Sequence, residues 1–467
     1  MRVERDFLGE LELPKDYPFG IHTRRAEKNF AFSRERLRAD IFEALIQVKQ
    51  AAAEANAGAG LLDPELAEAI LAAGDGILED VHAWVPAIHP LQGGAGTSTN
   101  MAANELLANL ALKHLGKDFG DYEVISPLEH VNLSQSTNDA YPTAVRIAVI
   151  RGLHRLHDGV ENLLRRLLDK ESEFSGLLKV GRTQLQDAMP LSLGQEFSAW
   201  AEAMTRFRWR LNKALDWVRE VNLSGTAVGT GINADHRYRA GVIELLRRRV
   251  QEPLTLSRNL VDATQNVDQL VEVSGLVRTG AVSVRKMAAD LRLLSSGPRC
   301  GLGEIGLPEL QAGSSIMPGK VNPVMAEAAE QVCLSVMGGD AVIAQAAAAG
   351  NLELSQFLPL IAHTLLSGLE IFAGMTVGLA ETVAGIRARP ERLRRNVEHS
   401  FAVATLLAPT LGHETMARVV REARERDCGV IQVIRERKLI TDIELERLLT
   451  PEVMASPGLP LPEGEES

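Results

Sequence analysis

The sequence predicts a mainly α-helical protein built around a bundle of five long helices. Aromatic residues make up only 4% of the 467 residues, and the many Ala, Leu, Glu and Arg residues favour helices that pack closely through small side chains. Because a proline inside a helix removes a hydrogen bond, proline-free runs mark candidate helices, and long runs of this kind follow Pro142, Pro190, Pro253, Pro323 and Pro359.

Apolar residues within these runs recur at intervals of three, four or seven, as expected for one face of a helix. The pattern predicts helices over 143–175, 191–222, 324–349 and 360–388, and a single helix of about 40 residues between Pro253 and Pro298. Such a helix would be about 60 Å long. Since one small domain cannot cover that much apolar length, we expect several chains to associate into a larger bundle.

The length of the chain predicts about three domains at roughly 100–200 residues each. We place an N-terminal domain of mixed helices and loops at 1–135, the long-helix bundle at 136–389, and a small helical domain at 390–467 that ends in the polar segment PGLPLPEGEES.

Composition argues against several classes of protein. The net charge of −11 without a long basic cluster makes nucleic acid an unsuitable partner. The N-terminus lacks the apolar core of a signal peptide, and no run of 18 apolar residues predicts a membrane span.

The three cysteines, Cys300, Cys333 and Cys428, form no metal or disulfide pattern, which favours a reducing cytoplasm. The histidines show no typical ligand spacing, so we expect no catalytic metal.

Four segments depart from helix periodicity and combine glycine with small polar residues, as ligand-binding loops do. The most informative is GSSIMPGKVNP at 313–323, which carries Ser314, Ser315, Lys320 and Asn322. A phosphate-binding loop is excluded here because five residues rather than four separate its glycines, and Val321 replaces the required Ser or Thr. A loop that closes over another anion is the alternative.

The other three segments are QGGAGTSTNMAANE (92–105), SQSTNDAYPT (134–143) and GRTQLQDAMPLSLGQE (181–196). Their candidate ligand-binding residues are Thr97, Ser136, Thr137, Asn138, Thr183 and Gln184. Neutral donors at the start of a helix, as in the 134–143 segment, suit a carboxylate. Each segment taken alone is also consistent with an ordinary loop, helix cap or turn.

Together the four segments resemble those of the aspartase/fumarase superfamily, in the same order and at the same spacing, and the resemblance extends over nearly the whole chain. It implies a three-domain fold whose five-helix bundles assemble into a homotetrameric helical core. Active sites in this superfamily are composite, with three loop regions contributed by three chains. No cofactor is implied.

Within the superfamily, QGGAGTS, SQSTNDAYPT and GRTQLQDA resemble the segments of aspartate ammonia-lyases more closely than those of fumarases. Fumarases carry a histidine at the position of Gln184, as do some aspartate ammonia-lyases, and this histidine pairs with a carboxylate whose counterpart here is Glu327. Without that histidine the pair cannot form, whereas a Gln amide can hydrogen-bond an amino group or a carboxylate. A second departure is Ser355, where family members usually have Asn.

The resemblance implies elimination of ammonia from L-aspartate, with Ser314 as the base. Lys320, Asn322 and Thr183 would hold the α-carboxylate, and Asn138 and Gln184 would face the amino group. The negative charge that develops on the β-carboxylate would be stabilised by fixed donors, a role that falls to Thr97, Ser136, Thr137 and Ser315. The alternatives are fumarate hydratase and a catalytically silent structural protein on the same fold.

Overall fold

Helices dominate the computed structural model of the chain, which describes residues 1–454. The predicted polar segment PGLPLPEGEES and the two residues before it therefore lie outside the described residues. The mainly α fold class is confirmed. The division into three domains remains a prediction.

The five long helices of the predicted bundle are all present. They are α6 (Thr137–Glu173), α7 (Leu193–Val218), α10 (Asp268–Leu294), α11 (Val324–Ala348) and α12 (Leu358–Ala384). Neighbours in this set contact one another. Arg208 of α7 donates to Glu161 of α6 at 2.7 Å, and Ser274 of α10 donates to Asp340 of α11 at 2.8 Å.

The remaining helices are shorter. They are α1 (Ile21–Asn29), α2 (Ala39–Gly58), α3 (Pro64–Glu79), α4 (Val81–Trp84), α5 (Thr97–His114), α8 (His236–Val250), α9 (Leu260–Gln265), α13 (Pro390–His399), α14 (Ala402–Leu411), α15 (His413–Glu425), α16 (Val430–Glu436), α17 (Asp442–Leu448) and α18 (Pro451–Met454), with a π-helical turn at Pro127–Val131.

Strands form four small two-stranded sheets within the described residues. Three pairs are antiparallel: β1 (Arg2–Asp6) with β2 (Gly9–Leu13), β3 (Leu178–Thr183) with β4 (Gln186–Ser192), and β7 (Ile305–Gly306) with β8 (Arg387–Ala388). One pair, β5 (Glu220–Val221) with β6 (Thr255–Leu256), is parallel.

The prediction of one helix of about 40 residues between Pro253 and Pro298 was wrong. The chain instead forms α9, breaks at Asn266, and begins α10 at Asp268. Asn266 has an extended backbone. Its side-chain amide donates a hydrogen bond to the carboxylate of Asp262 at 2.7 Å. Such side-chain hydrogen bonds compete with the helix. The apolar periodicity missed the break because Leu260 and Val267 lie on either side of it and are both buried.

The start of α6 also differs from the sequence-based expectation, because this helix begins at Thr137 and contains Pro142. A proline has no N–H, so the carbonyl of Asn138 four residues earlier loses its helical partner. The side chain of Asn222 donates to that carbonyl at 2.9 Å. The proline is therefore tolerated because a tertiary hydrogen bond replaces the missing one.

The chain divides into two compact units. The first contains 1–157, 209–281 and 334–373, and the second contains 158–208, 282–333 and 374–467, as far as it is described. In the first unit, α2 packs against α3, α5 and α8. In the second, α13–α17 enclose an apolar core that also includes Val180 of β3, so the β3–β4 hairpin rests on the C-terminal helices.

Two helices, α11 and α12, are long and apolar enough to cross a membrane by length and composition alone. This is weak evidence for a membrane span, because the core helices of soluble proteins pass the same test. Charged residues such as Asp340 also lie within α11.

Candidate active site

The predicted site residues fall into two groups, one in each unit. Thr97, Ser136, Thr137 and Asn138 belong to the first unit, and Thr183, Gln184, Ser314, Ser315, Lys320 and Asn322 belong to the second.

Thr97 begins α5, and the backbone before it depends on Gly96. That glycine has a φ of +95°, and a Cβ there would lie 2.5 Å from the ring of Tyr141. Both its conformation and its close contact exclude a larger residue. The Thr97 hydroxyl donates to the carbonyl of Gly94 at 2.7 Å. This bond fixes the side chain and leaves the hydroxyl oxygen able to accept another hydrogen bond.

Ser136 precedes α6 and caps it. Its hydroxyl accepts from the N–H of Asn138 at 3.2 Å, and its own N–H donates to the carboxylate of Asp139 at 2.9 Å. These reciprocal bonds form a capping box with Asp in place of the usual Glu, so the helix-cap interpretation holds for Ser136. The serine O–H proton is still available to a carboxylate ligand.

Asp139, which the sequence analysis did not single out, organises this region. It is fully buried, and besides Ser136 it accepts from the N–H groups of Ser224 and Thr226, both at 3.0 Å. Ser224 and Thr226 have φ angles of 77° and 58°, the left-handed region that is unfavourable for such residues. With this backbone the N–H groups of Ser224 and Thr226 both point at one place, and the buried carboxylate of Asp139 occupies it.

The backbone segment that Asp139 holds through Ser224 and Thr226 also orients the side chain of Asn138. Asn138 donates from its side chain to the carbonyl of Ala227 at 2.7 Å, so its amide is held in one orientation. Ser136, Thr226 and Asn233 line one cavity of about 280 Å³. A buried carboxylate thus positions both sides of a cavity lined with neutral hydrogen-bonding groups.

A second buried network connects this segment to α5. The side-chain carbonyl of Asn132 accepts from Lys49 at 2.8 Å and from Asn100 and Asn104 at 3.1 Å each. Lys49 is fully buried, and burial lowers its pKa to about 7, while the negative charge of Asp139 opposes the shift. Likewise burial raises the pKa of Asp139 to about 6 despite its hydrogen bonds. The structure therefore brings the 97–104 and 132–139 segments together.

Ser355 belongs to the first unit and is buried, and its hydroxyl forms no hydrogen bond with any residue in 1–454. It lines a small cavity together with Asn138 and Arg146. The departure from the usual Asn thus lies directly beside a predicted substrate-binding residue.

Thr183 and Gln184 lie at the exposed tip of the β3–β4 hairpin. Gln184 and Leu185 form its two-residue turn with φ angles of 55° and 62°. Turns with both φ angles positive match the twist of a hairpin but favour Asn and Gly. Two non-glycine residues in this conformation are a strained feature of the kind found at functional sites.

The base of the hairpin is held by Glu304, whose side chain is completely buried. Arg182 donates to it at 2.7 Å and Asn396 at 2.9 Å, and Lys179 lies 3.4 Å away. Burial alone would raise the pKa of Glu304, but the hydrogen bond from Arg182 and the charge of Lys179 hold it below its usual value. Glu304 therefore stays ionised and fixes the residue next to Thr183.

The 313–323 loop is closed at its base by backbone and amide bonds. Gly313 donates to the carbonyl of Lys320 at 2.8 Å, and the Asn322 side chain donates to the carbonyl of Gly313 at 2.8 Å. A Cβ on Gly313 would lie 2.6 Å from the carbonyl oxygen of Lys320. The two backbone segments can therefore come this close only because residue 313 is a glycine. Ser315 and Lys320 are exposed.

Ser314 uses its hydroxyl locally. The oxygen accepts from the N–H groups of Ile316 at 3.2 Å and Met317 at 3.0 Å. Donors aimed at an oxygen stabilise its ionised form, which is what a serine base requires. No hydrogen bond within residues 1–454 joins this loop to the hairpin tip.

No group of three or more His, Cys, Asp or Glu side chains in the described chain is placed to hold a metal ion. The four candidate segments supply hydroxyls, amides, backbone donors and the Lys320 ammonium. Such donors suit a carboxylate ligand.

We predict that Asp139→Asn lowers the free energy of unfolding by about 1–3 kcal/mol, the cost of leaving buried donors poorly paired. An amide presents an NH₂ group where Asp139 accepts hydrogen bonds. The exposed Asp216 on α7 provides a control, because Asp216→Asn should change stability by no more than about 0.5 kcal/mol. Urea denaturation measures both, and equal midpoints for the two variants would contradict the assigned role of Asp139.

Comparison with known proteins identifies the family. Residues 9–338 match the family model described as "Lyase", and 403–456 match "Fumarase C C-terminus". The chain is 42% identical to an aspartate ammonia-lyase of Bacillus sp and 43% identical to one of Pseudomonas aeruginosa, covering 98% of both chains in each case.

Solved structures agree with this result. A fumarate lyase:delta crystallin from Brucella melitensis bound to cobalt superimposes with a TM-score of 0.94 at 44% identity, covering 98% of this chain and 100% of that one. The class II fumarase of Schistosoma mansoni superimposes with a TM-score of 0.89 at 31% identity, covering 98% and 99%. The chain therefore belongs to this lyase family, the aspartase/fumarase superfamily that its four polar segments resemble.

Proposed function

We propose that the chain is an aspartate ammonia-lyase, which catalyses the reversible anti elimination of ammonia from L-aspartate to give fumarate. The observation that carries this proposal is the 42–43% identity to aspartate ammonia-lyases over 98% of the chain. The class II fumarase is less similar, at 31%. We also propose that the enzyme acts in the cytoplasm.

In this mechanism Ser314 removes the proton from Cβ and the electrons pass to the β-carboxylate, giving an aci-carboxylate intermediate. Loss of ammonia from Cα then forms the double bond of fumarate. The hydrogen bonds from Ile316 and Met317 support ionisation of Ser314. Closure of the loop would add the charge of Lys320 and exclude water.

The remaining residues act through binding. Lys320, Asn322 and Thr183 hold the α-carboxylate, while Asn138 and Gln184 face the amino group. Thr97, Ser136, Thr137 and Ser315 donate to the β-carboxylate, where charge increases in the transition state. Fixed donors there lower the barrier because they need no reorganisation during the reaction.

Two contacts favour ammonia over water as the leaving group. Gln184 supplies an amide where fumarases have a histidine, so no His–Glu pair is available to activate water. Glu327, the counterpart of the carboxylate in that pair, instead lies 3.8 Å from Arg292.

The direct test supplies the purified protein with L-aspartate or L-malate and follows fumarate by its ultraviolet absorbance. We expect turnover of L-aspartate and little or none of L-malate. Preferential turnover of L-malate would establish fumarate hydratase instead. Inactivity with both, in protein that is folded and fully assembled, would favour a silent structural homologue.

We predict that Ser314→Ala lowers kcat by about 10²–10⁴-fold, the usual contribution of a general base. Substrate affinity should change little, because the base acts in the transition state. The exposed helical Ser172 gives a matched control, and Ser172→Ala should retain full activity. A near-normal kcat in Ser314→Ala would assign the base to another residue.

We further propose that the chain forms a homotetramer whose active sites draw their loops from different chains. The 183 segment and the 314 segment of one site would then come from different chains. If so, mixing the Thr183→Ala and Ser314→Ala variants should restore part of the activity, because some hybrid sites receive an intact 183 segment from one chain and an intact 314 segment from another. Activity that stays at the level of the separate variants after verified subunit exchange would rule out this arrangement.

A further inference from the structure

A cavity of about 430 Å³ in the second unit lies beside the 313–323 loop. Its volume falls within the range of roughly 300–1,000 Å³ that is typical of small-molecule sites. Lys320 and Asn322 line it, and so do two charged residues that the proposed mechanism does not use, Glu309 and Arg389.

Arg389 is held in place by the short β7–β8 sheet. Its N–H donates to the carbonyl of Glu304 at 2.9 Å, directly after the pairing of Gly306 with Arg387. Its guanidinium packs over Gly306, where an added Cβ would lie 3.6 Å from the nearest guanidinium nitrogen. The backbone of Arg389 is thus anchored beside the buried Glu304, while its side chain faces the cavity.

The three charged side chains that line the cavity are not engaged with one another or elsewhere. Within residues 1–454, Glu309, Lys320 and Arg389 form no ion pair and no side-chain hydrogen bond, although Arg292, Arg392 and Glu304 nearby in the sequence all do. Two unpaired cations facing one space repel each other, so an anion between them is stabilising.

The charge pattern of the lining is two positive groups and one negative group. L-aspartate has the complementary pattern, with two carboxylates and one ammonium group. A dicarboxylate without an amino group matches only the two cations. A monocarboxylate matches one of them.

We propose that this cavity is a capture site that takes up L-aspartate before the 313–323 loop closes. Arg389 binds one carboxylate, Lys320 and Asn322 bind the other, and Glu309 accepts a hydrogen bond from the ammonium group. Glu309 thereby favours the amino acid over dicarboxylates of the same length. This inference rests on the proposed function and adds Arg389 and Glu309 as specificity-determining residues.

The test combines kinetics with calorimetric binding of succinate, a dicarboxylate that cannot react. Arg389→Ala should weaken succinate binding by about tenfold and raise the KM for L-aspartate by about tenfold. This is the lower end of the effect of losing a charge-assisted contact. The kcat should stay within about twofold of the wild-type value. Arg387→Ala is the matched control, because Arg387 lies two residues earlier on β8, is exposed and does not line the cavity. Arg389→Lys keeps the charge and should retain most of the binding.

Glu309→Gln separates the amino-group contact from the carboxylate contacts. It should raise the KM for L-aspartate several-fold and leave succinate affinity unchanged or improved, because it removes a negative charge. Acetate and inorganic phosphate serve as further probes in the same calorimetric assay. Both should bind more weakly than succinate, and tighter binding of phosphate would overturn the proposal in favour of a general anion site.

The outcomes distinguish this inference from the proposed function. If the wild type converts L-aspartate and a folded Arg389→Ala variant behaves like Arg387→Ala, the capture site is overturned and the lyase activity stands. If the wild type does not convert L-aspartate but succinate binding depends on Arg389, the activity is overturned and the dicarboxylate site stands.

Discussion

The structure of the first unit depends on the burial of the Asp139 carboxylate. Removing a carboxylate from water is costly unless hydrogen bonds replace its hydration, and here Ser136, Ser224 and Thr226 supply three N–H donors. The donors from Ser224 and Thr226 exist only because both residues adopt left-handed backbone conformations. The carboxylate and the strained segment are therefore interdependent, and together they determine where α6 begins.

Glu304 has the corresponding role in the second unit. Its buried carboxylate is surrounded by Arg182, Lys179 and Asn396, so charged partners rather than backbone N–H groups compensate for its burial. In both units a buried carboxylate supports a candidate segment whose other polar groups are mostly neutral donors. This division has a physical reason, since a buried carboxylate that saturates its own donors does not compete with a carboxylate ligand for the remaining ones.

Sequence periodicity predicted the five long helices because each keeps one apolar face over many turns, which is a local property. It failed at Asn266, where a single side-chain hydrogen bond to Asp262 ends α9 while the buried face continues beyond it. The four polar segments were found because glycine and hydroxyl residues interrupt the periodicity. The partners of Asp139 were not predictable, because Ser224 and Thr226 are 85 and 87 residues away and no local pattern specifies which distant backbone turns toward a carboxylate.

The position of Ser314 shows how structure and proposed chemistry constrain each other. Its hydroxyl oxygen already accepts two backbone N–H bonds, so the donors that would stabilise an alkoxide belong to the same turn and would travel with it when the loop closes. The loop base is fixed by hydrogen bonds among Gly313, Lys320 and Asn322. Two of the three proposed α-carboxylate ligands, Lys320 and Asn322, therefore lie at this base. Ser314 directly follows Gly313 in this base. The proposed enzyme would thus hold its substrate and place its catalytic base at the same end of the loop, and closure would exclude water from both.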